Sequence, residues 1–279
     1  MGQLSAVAAP ETPAAPPAGS RRLLGMRVDA GSYASACQRI LAMAERGGGM
    51  TCVATVHMVM EAFDDPAFQR IVNAAELVTS DGMPLVWALR ALGLRDAERV
   101  YGPDLTPLVC EGAARRGLPV GFVGGSPALL ARLAARLGER FPDLEIAFSF
   151  APPFGPAPER PDPDLVRAVE SSGAKLLFVG LGCPKQERWM AAYREALPCA
   201  LVGVGAAFDF LAGAKPVAPD WMKRAGLEWL FRLACEPRRL ARRYLWHNPR
   251  FAARMAWQIA RERGRMAWRL ARGRGRRAG

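Results

Sequence analysis

The run Gly180-Leu181-Gly182-Cys183-Pro184-Lys185-Gln186-Glu187 has residue types suited to holding a diphosphate. The apolar segment 175–179 reads as a buried strand, the glycines as a tight turn, and Pro184 suits the first turn of a helix. Backbone N–H groups freed at such a helix start, with the helix dipole behind them, point at an anion that Lys185 and Gln186 can also reach. A ligand-free strand-to-helix connection has the same signature, so the companions of this run carry weight. Four more candidates follow predicted strands: His57, Asp81, the pair Gly124-Gly125, and the stretch from Gly205 to Asp209. Asp81 can take a proton from a hydroxyl, or can cap the helix that begins near Met83. His57 is one of only two histidines. It serves equally as a ligand contact or as a structural group.

These residues need a scaffold that brings them to one place. Strands are expected at 51–56, 76–79, 119–123, 144–150, 175–179 and 201–205. Helices are expected at 65–74 (with Asp64 or Asp65 capping and Pro66 at its start), 84–92, 104–116, 127–140, 164–171 and 206–211. Ser126 is a ready cap for the amphipathic 127–140 segment. The 84–92 segment is apolar nearly all round and is expected to be buried. This alternation implies an α/β fold, a mostly parallel Rossmann-like sheet with helices on both faces. Ligands of such sheets bind beyond the carboxyl ends of the strands. All five candidate motifs fall there.

Composition divides the chain. Residues 221–279 hold 17 Lys+Arg against 3 Asp+Glu, a balance of 17 − 3 = +14, whereas the whole chain carries +12. The positive excess therefore belongs to the C-terminal fifth, and residues 1–220 are close to neutral. Segments 221–233 and 237–258 have helical patterns in which arginines interleave with Trp229, Phe231, Tyr244, Trp246, Phe251 and Trp257. Rings beside arginines suit a membrane interface, with phosphates meeting the guanidinium groups. The expected organisation is a disordered Ala/Pro-rich leader over 1–20, an α/β domain over 21–220, a basic aromatic helical appendage over 221–260 and a disordered Arg/Gly-rich tail over 261–279. No apolar stretch is long enough to span a bilayer. The six cysteines show no CxxC pair, and with two histidines the chain lacks any recognisable zinc spacing. Most are read as buried thiols; Cys183 is the exception because it lies inside the Gly turn, but with no histidine beside it in sequence a nucleophilic role is disfavoured. A nucleic-acid-binding α/β protein using the basic tail is the alternative, but neither stacking aromatics on a sheet nor a helix-turn-helix is evident. A dehydrogenase is disfavoured by the lack of a GxGxxG turn in the first unit.

Several segments, in order, resemble the WecG/TagA/CpsF family of bacterial glycosyltransferases (family 26). They are residues 56–62, 77–87 around Asp81-Gly82, Arg99 to Leu105, Gly180 to Glu187, Gly203 to Asp209, and Gly226-Leu227-Glu228-Trp229 followed by Glu236-Pro237 and Arg242-Arg243-Tyr244. The resemblance spans about residues 22–250. It implies an inverting enzyme without cofactor or metal, which moves a sugar from a UDP-sugar donor to a saccharide carried on polyprenyl diphosphate. It implies work at the inner face of the cytoplasmic membrane, on an anionic lipid surface, in cell-envelope or exopolysaccharide synthesis. A homo-oligomer is allowed by it; nucleic acid is not expected as a partner. ManNAc, glucose and uronic-acid donors all remain open.

Residue by residue, the resemblance makes Asp81 the general base and Arg99 the group that stabilises the leaving diphosphate or orients the sugar. It places Gly82, Gly182, Pro184, Gln186, Gly205 and Asp209 along the substrate site. Arg232, Arg239 and Arg242 match arginines that close over that site. One departure stands out. Many members carry Thr-x-Asn at the end of the first strand, where this chain has Val53 and Thr55, so Thr55 offers a hydroxyl in place of an amide. Asp162-Pro163-Asp164 spells the acidic pair of metal-dependent glycosyltransferases, but in a Pro-rich loop before a helix, where capping accounts for Asp164.

Overall fold

The computed structural model describes residues 19–275 of the chain; the leader reading for 1–18 and the end of the tail, 276–279, lie outside the described residues. A hairpin comes first, β1 (Ser20–Leu23) and β2 (Met26–Asp29), followed by α1 (Tyr33–Arg46). The α/β units then run β3 (Met50–Ala54), α2 (Val56–Asp64), α3 (Pro66–Asn73), β4 (Leu77–Ser80), α4 (Met83–Ala91) and α5 (Gly102–Arg115). They continue through β5 (Val120–Gly124), α6 (Pro127–Arg140), β6 (Ile146–Phe150), α7 (Pro163–Ser172), β7 (Leu176–Gly180), α8 (Lys185–Tyr193), β8 (Ala200–Gly203) and α9 (Ala207–Leu211). The chain closes with α10 (Asp220–Arg224), α11 (Glu228–Cys235) and the long α12 (Pro237–Gly275).

Six strands form one sheet in the order β4-β3-β8-β7-β5-β6, every neighbouring pair parallel. The fold is the expected Rossmann-like α/β sheet. Alternate residues of each strand feed opposite cores, as the two-residue period demands. Cys52, Leu177, Val179 and Leu201 pack beneath α2, α4 and α8, while Val53, Leu176, Phe178 and Val202 pack beneath α1, α5, α6 and α9. Because all six strands point one way, their carboxyl ends share one rim.

Local chemistry sets the boundaries near that rim. The Thr55 hydroxyl accepts from the Met58 amide and caps α2, and the Asp65 carboxylate accepts from the Ala67 and Phe68 amides to start α3 at Pro66. His57 therefore rides on the first turn of a helix, α2, which the sequence reading had left without an element. Ser126 caps α6 as expected. Asp162 caps α7 by accepting from the Asp164 amide, and Asp164 pairs with Arg167, so both carboxylates are engaged in helix ends.

The basic C-terminal segment folds against this body. The single helix expected over 221–233 is two, α10 and α11, separated by Gly226 in the left-handed region at φ +71°. A Cβ on Gly226 would stand 3.0 Å from the Trp87 ring and 3.1 Å from the Met83 Cβ, so glycine lets this turn approach α4. The helix α12 crosses α4 and α2 and reaches the first hairpin, where the Gln258 amide donates to the Arg22 carbonyl at 2.7 Å and its oxygen accepts from the Leu24 amide at 2.9 Å. It runs on to Gly275, past the end expected near residue 258.

Candidate active site

Two cavities meet at the rim. The larger, about 570 Å³, is a groove between α4 and α12, walled by Trp87, Ala88, Ala91, Phe251, Met255 and Ile259. The smaller, about 110 Å³, lies above β3, β8 and the Gly turn, and its lining includes Tyr101, Gly182, Gln186, Gly205 and Arg239. Thr55, Asp81, Arg232 and Arg243 line both. An apolar groove and a polar cup thus share one wall, and that wall carries a carboxylate and two guanidinium groups.

Asp81 follows β4 directly, where the end of the strand presents its side chain at the seam. Arg99 Nη2 lies 3.3 Å from Asp81 Oδ1 and 2.5 Å from Glu228 Oε2, while Arg99 Nε donates to the Asp81 backbone carbonyl. The guanidinium also lies over the Tyr101 ring, 4.2 Å from its centroid. Burial pushes the Asp81 carboxyl up to about 6; Arg99 opposes the shift and Glu228 adds to it. Burial works against the charge of Arg99, but Asp81 and Glu228 outweigh it and keep the group protonated. The result is a carboxylate that ionises just below neutrality, held in place by a permanent cation.

Arg232 on α11 and Arg243 on α12 are half-buried, and each has a buried Nε without a hydrogen-bond partner. Neither has an ion-pair partner among the described residues. A guanidinium held partly out of water without a close anion is costly, so the two at this seam suit an anionic ligand. Burial lowers the Arg243 pKa from its ordinary value, yet arginine remains charged. Arg232 lies 5.4 Å from the Phe210 ring centroid.

The structure sorts the sequence candidates. Asp81, Arg99, Thr55, His57, Gly82 and Arg232 line the groove, and Gly182, Gln186, Gly205 and Arg239 line the cup. Gln186 donates to Glu187 Oε1 at 2.7 Å, which leaves its own carbonyl oxygen without a donor. That carboxylate is fully buried and burial pushes it up to about 7. Pro184, Lys185, Gly124 and Gly125 line neither cavity. Gly124 instead sits where β5 touches β7, and a Cβ there would be 2.6 Å from the Gly180 carbonyl. Asp209 pairs with Lys215 at 3.1 Å, away from both. Arg242 is exposed and outside both, and Arg243 takes the inward position. On a helix one residue turns the side chain by about 100°, and Arg243 is four residues from Arg239. Sequence reasoning had also missed Glu228, Tyr101, Trp229, Tyr244 and His247, which come to the site from distant elements.

Cys183 is free, and burial holds its thiol well above the usual range, with the Glu187 carboxylate opposing ionisation further. It is no nucleophile at neutral pH. Burial, then Arg243 and His247, lowers His57 to about 3, so this ring is neutral.

The model of the glycosyl transferase WecG/TagA/CpsF family matches residues 21–265, nearly the whole described chain.

Proposed function

The chain belongs to the WecG/TagA/CpsF glycosyltransferase family and is a glycosyltransferase, and we propose that it transfers a sugar, with inversion, from a UDP-sugar to a saccharide on polyprenyl diphosphate. The observation that carries the reading is the shared wall: Asp81, Arg232 and Arg243 stand where an apolar groove meets a polar cup. A lipid-linked acceptor laid in the groove brings its sugar hydroxyl to Asp81, while the guanidinium groups at the cup meet the diphosphate of the donor.

In this reading Asp81 takes the proton of the acceptor hydroxyl as its oxygen attacks the anomeric carbon. The bond from that carbon to the donor phosphate oxygen breaks on the opposite face, and UDP leaves with the electron pair. Arg232, Arg243 and Arg239 meet the charge that develops on the diphosphate, the task a metal ion performs elsewhere. Arg99 keeps Asp81 aimed, and Glu228 keeps Arg99 aimed. The free carbonyl oxygen of Gln186 and the Thr55 hydroxyl supply contacts for sugar hydroxyls. The first isoprene units of the acceptor lie along Trp87, Phe251 and Met255. The family points to cell-envelope polysaccharide synthesis, and the basic appendage favours a peripheral place on the inner membrane face.

The full chain is incubated with a panel of UDP-sugars and a short-chain polyprenyl-diphosphate saccharide, and UDP is measured. Release that requires both one donor and the lipid-linked acceptor is expected. UDP release indifferent to the acceptor, or none across ManNAc-type, glucose and uronic-acid donors, removes the reading.

A further inference from the structure

The two histidines of the chain stand 190 residues apart in sequence and side by side in space, their ring centroids 5.0 Å apart. Glu61 lies between them. We propose that His57, Glu61 and His247 form a three-ligand site for a zinc-class divalent cation that fastens α12 to α2. This site is separate from the transfer chemistry and does not depend on which sugar is transferred.

The geometry comes from ordinary helix spacing. His57 and Glu61 are four residues apart on α2 and so share one face. Residue His247 arrives from α12, nine-tenths buried. Nδ1 of His57 is 3.5 Å from Glu61 Oε1, and Nε2 of His247 is 3.6 Å from the same oxygen. The three ligand atoms all lie within 4.8 Å of one another. A tetrahedral ion with bonds of about 2.0–2.2 Å separates its ligand atoms by about 3.3–3.6 Å. The two imidazole–carboxylate spacings have that size, and they are longer than a good hydrogen bond. A second observation points the same way. Nδ1 of His57 is buried, faces the carboxylate, and has no hydrogen-bond partner. Unlike an exposed ring, it has no water to turn to.

The donor set decides the ion class. Two imidazoles and a carboxylate suit Zn²⁺ and its neighbours Co²⁺, Ni²⁺ and Cu²⁺, whereas Mg²⁺ and Ca²⁺ prefer oxygen alone. Both histidines also line the large groove. Arg243 opposes a cation here, while Asp64 and Asp65 favour one; Arg250 pairs with Asp64 at 2.7 Å and Arg188 with Asp65 at 2.6 Å. The consequence is positional. His247 lies one turn beyond Arg243, so pinning it to α2 fixes Arg243 at the seam. The Arg250–Asp64 pair and Arg254, 4.3 Å from the Phe63 ring centroid, already draw the same two helices together.

The test uses the full chain stripped with chelator and titrated with Zn²⁺ by calorimetry, with thermal melts alongside. One equivalent binds and the Tm rises. Glu61→Gln and His247→Gln each weaken binding by about 100-fold or more, since even groups behind the ligands matter by 10–100-fold, and lose the Tm rise. Binding of equal strength in either variant overturns the proposal, as does the absence of saturable binding by the unaltered chain. Cobalt guards against a variant that does not fold. Co²⁺ in the unaltered protein gives the strong visible bands of a tetrahedral site, and weak octahedral bands alone overturn it.

Discussion

Asp81 ionises near pH 6 because burial penalises its charge more than Arg99 rewards it. A base with that pKa is ionised at neutral pH yet basic enough to accept a hydroxyl proton as the bond forms. Turnover is therefore expected to fall about tenfold per pH unit below about 6, measured as kcat/KM against pH. Asp81→Asn is expected to lower turnover by about 10²–10⁴ while donor binding stays within a few-fold. The sign for stability runs the other way. Folding raises this carboxyl above its unfolded value, so the ionised group costs stability above pH 6 and the cost is relieved as the pH falls toward 4. Asn removes it, and the Tm of the variant should not fall below that of the unaltered chain. A loss of turnover matched by a loss of Tm counts against the assignment. Chelation gives a separate expectation. With Asp162 and Asp164 engaged at the start of α7 and guanidinium groups at the seam, no Mg²⁺ or Mn²⁺ requirement is expected: a fall in activity on chelation should come from the loosened α12 and return with Zn²⁺. Full loss restored by Mg²⁺ or Mn²⁺ would require another mechanism. Asp81 was legible in the sequence because it follows a strand in a recognisable segment. Arg99 was legible in the same way, but the carboxylate behind it was not: Glu228 lies 129 residues from Arg99 in sequence, and no local pattern announces such a contact.

The helix α12 presents Arg239, Arg243, His247, Phe251, Met255 and Ile259 at successive four-residue steps, and all of them line the cup or the groove. One stripe thus passes from arginines at the seam to an apolar lining in the groove, the order in which the proposed reading needs donor phosphates and a lipid-linked acceptor to meet. Its neighbour Arg242 lies outside the stripe, which makes a sharp comparison. Arg243→Ala removes a charge-assisted contact of about 1.5–3 kcal/mol, so UDP should bind about 10- to 150-fold more weakly. Arg242→Ala should leave UDP affinity within about twofold, since an exposed charge contributes little. Equal effects in calorimetric titration would place the phosphates elsewhere. Gly226 makes a second case. Alanine there, two residues before Glu228, meets the left-handed penalty of about 1–2 kcal/mol and presses on Trp87 of α4. Gly226→Ala should lower the Tm by a few degrees and reduce kcat more than donor affinity; an unchanged kcat would uncouple the turn from Arg99. The strands were readable because buried parallel strands are continuous apolar runs between turn residues. The helix α2 was not, since Val56-His57-Met58-Val59-Met60 continues the apolar run of β3 and the polar stripe His57, Glu61, Asp64 spans only about two turns. Nor could the pattern choose between Arg242 and Arg243, because the register of α12 against the body is set by α2 and α4.

At the scale of the molecule, charge and exposed rings fall together on the appendage. Residues 221–279 hold the whole positive excess, and Trp221, Leu245, Trp246 and Trp257 stand more than half exposed. Arg250 lies 5.1 Å from the Trp246 ring centroid and Arg261 the same distance from that of Trp257. Among the described residues no helix is long and apolar enough to cross a membrane. A surface of exposed tryptophan and paired arginine has the composition of an interfacial contact, with rings at headgroup depth and guanidinium groups on phosphates. Apart from Trp221, on α10, it lies on the helix whose other face lines the groove, so under the proposed function a lipid-linked acceptor would pass from bilayer to seam along one element. Each basic residue near an anionic surface contributes about 1 kcal/mol, and the attraction is screened over about 8 Å at physiological ionic strength. Vesicle binding should therefore need anionic lipid, weaken steeply with salt, and collapse when residues 221–279 are removed. Trp246→Ser with Trp257→Ser isolates the aromatic part in a chain that keeps its charge. It should weaken vesicle binding severalfold and raise the KM for a long-chain acceptor, yet leave transfer to a water-soluble short-chain acceptor unchanged. Co-sedimentation with anionic vesicles and paired kinetics on the two acceptors read both effects. A double variant that binds vesicles normally would assign docking to charge alone, and a truncated chain that still sediments would remove the appendage from the membrane contact.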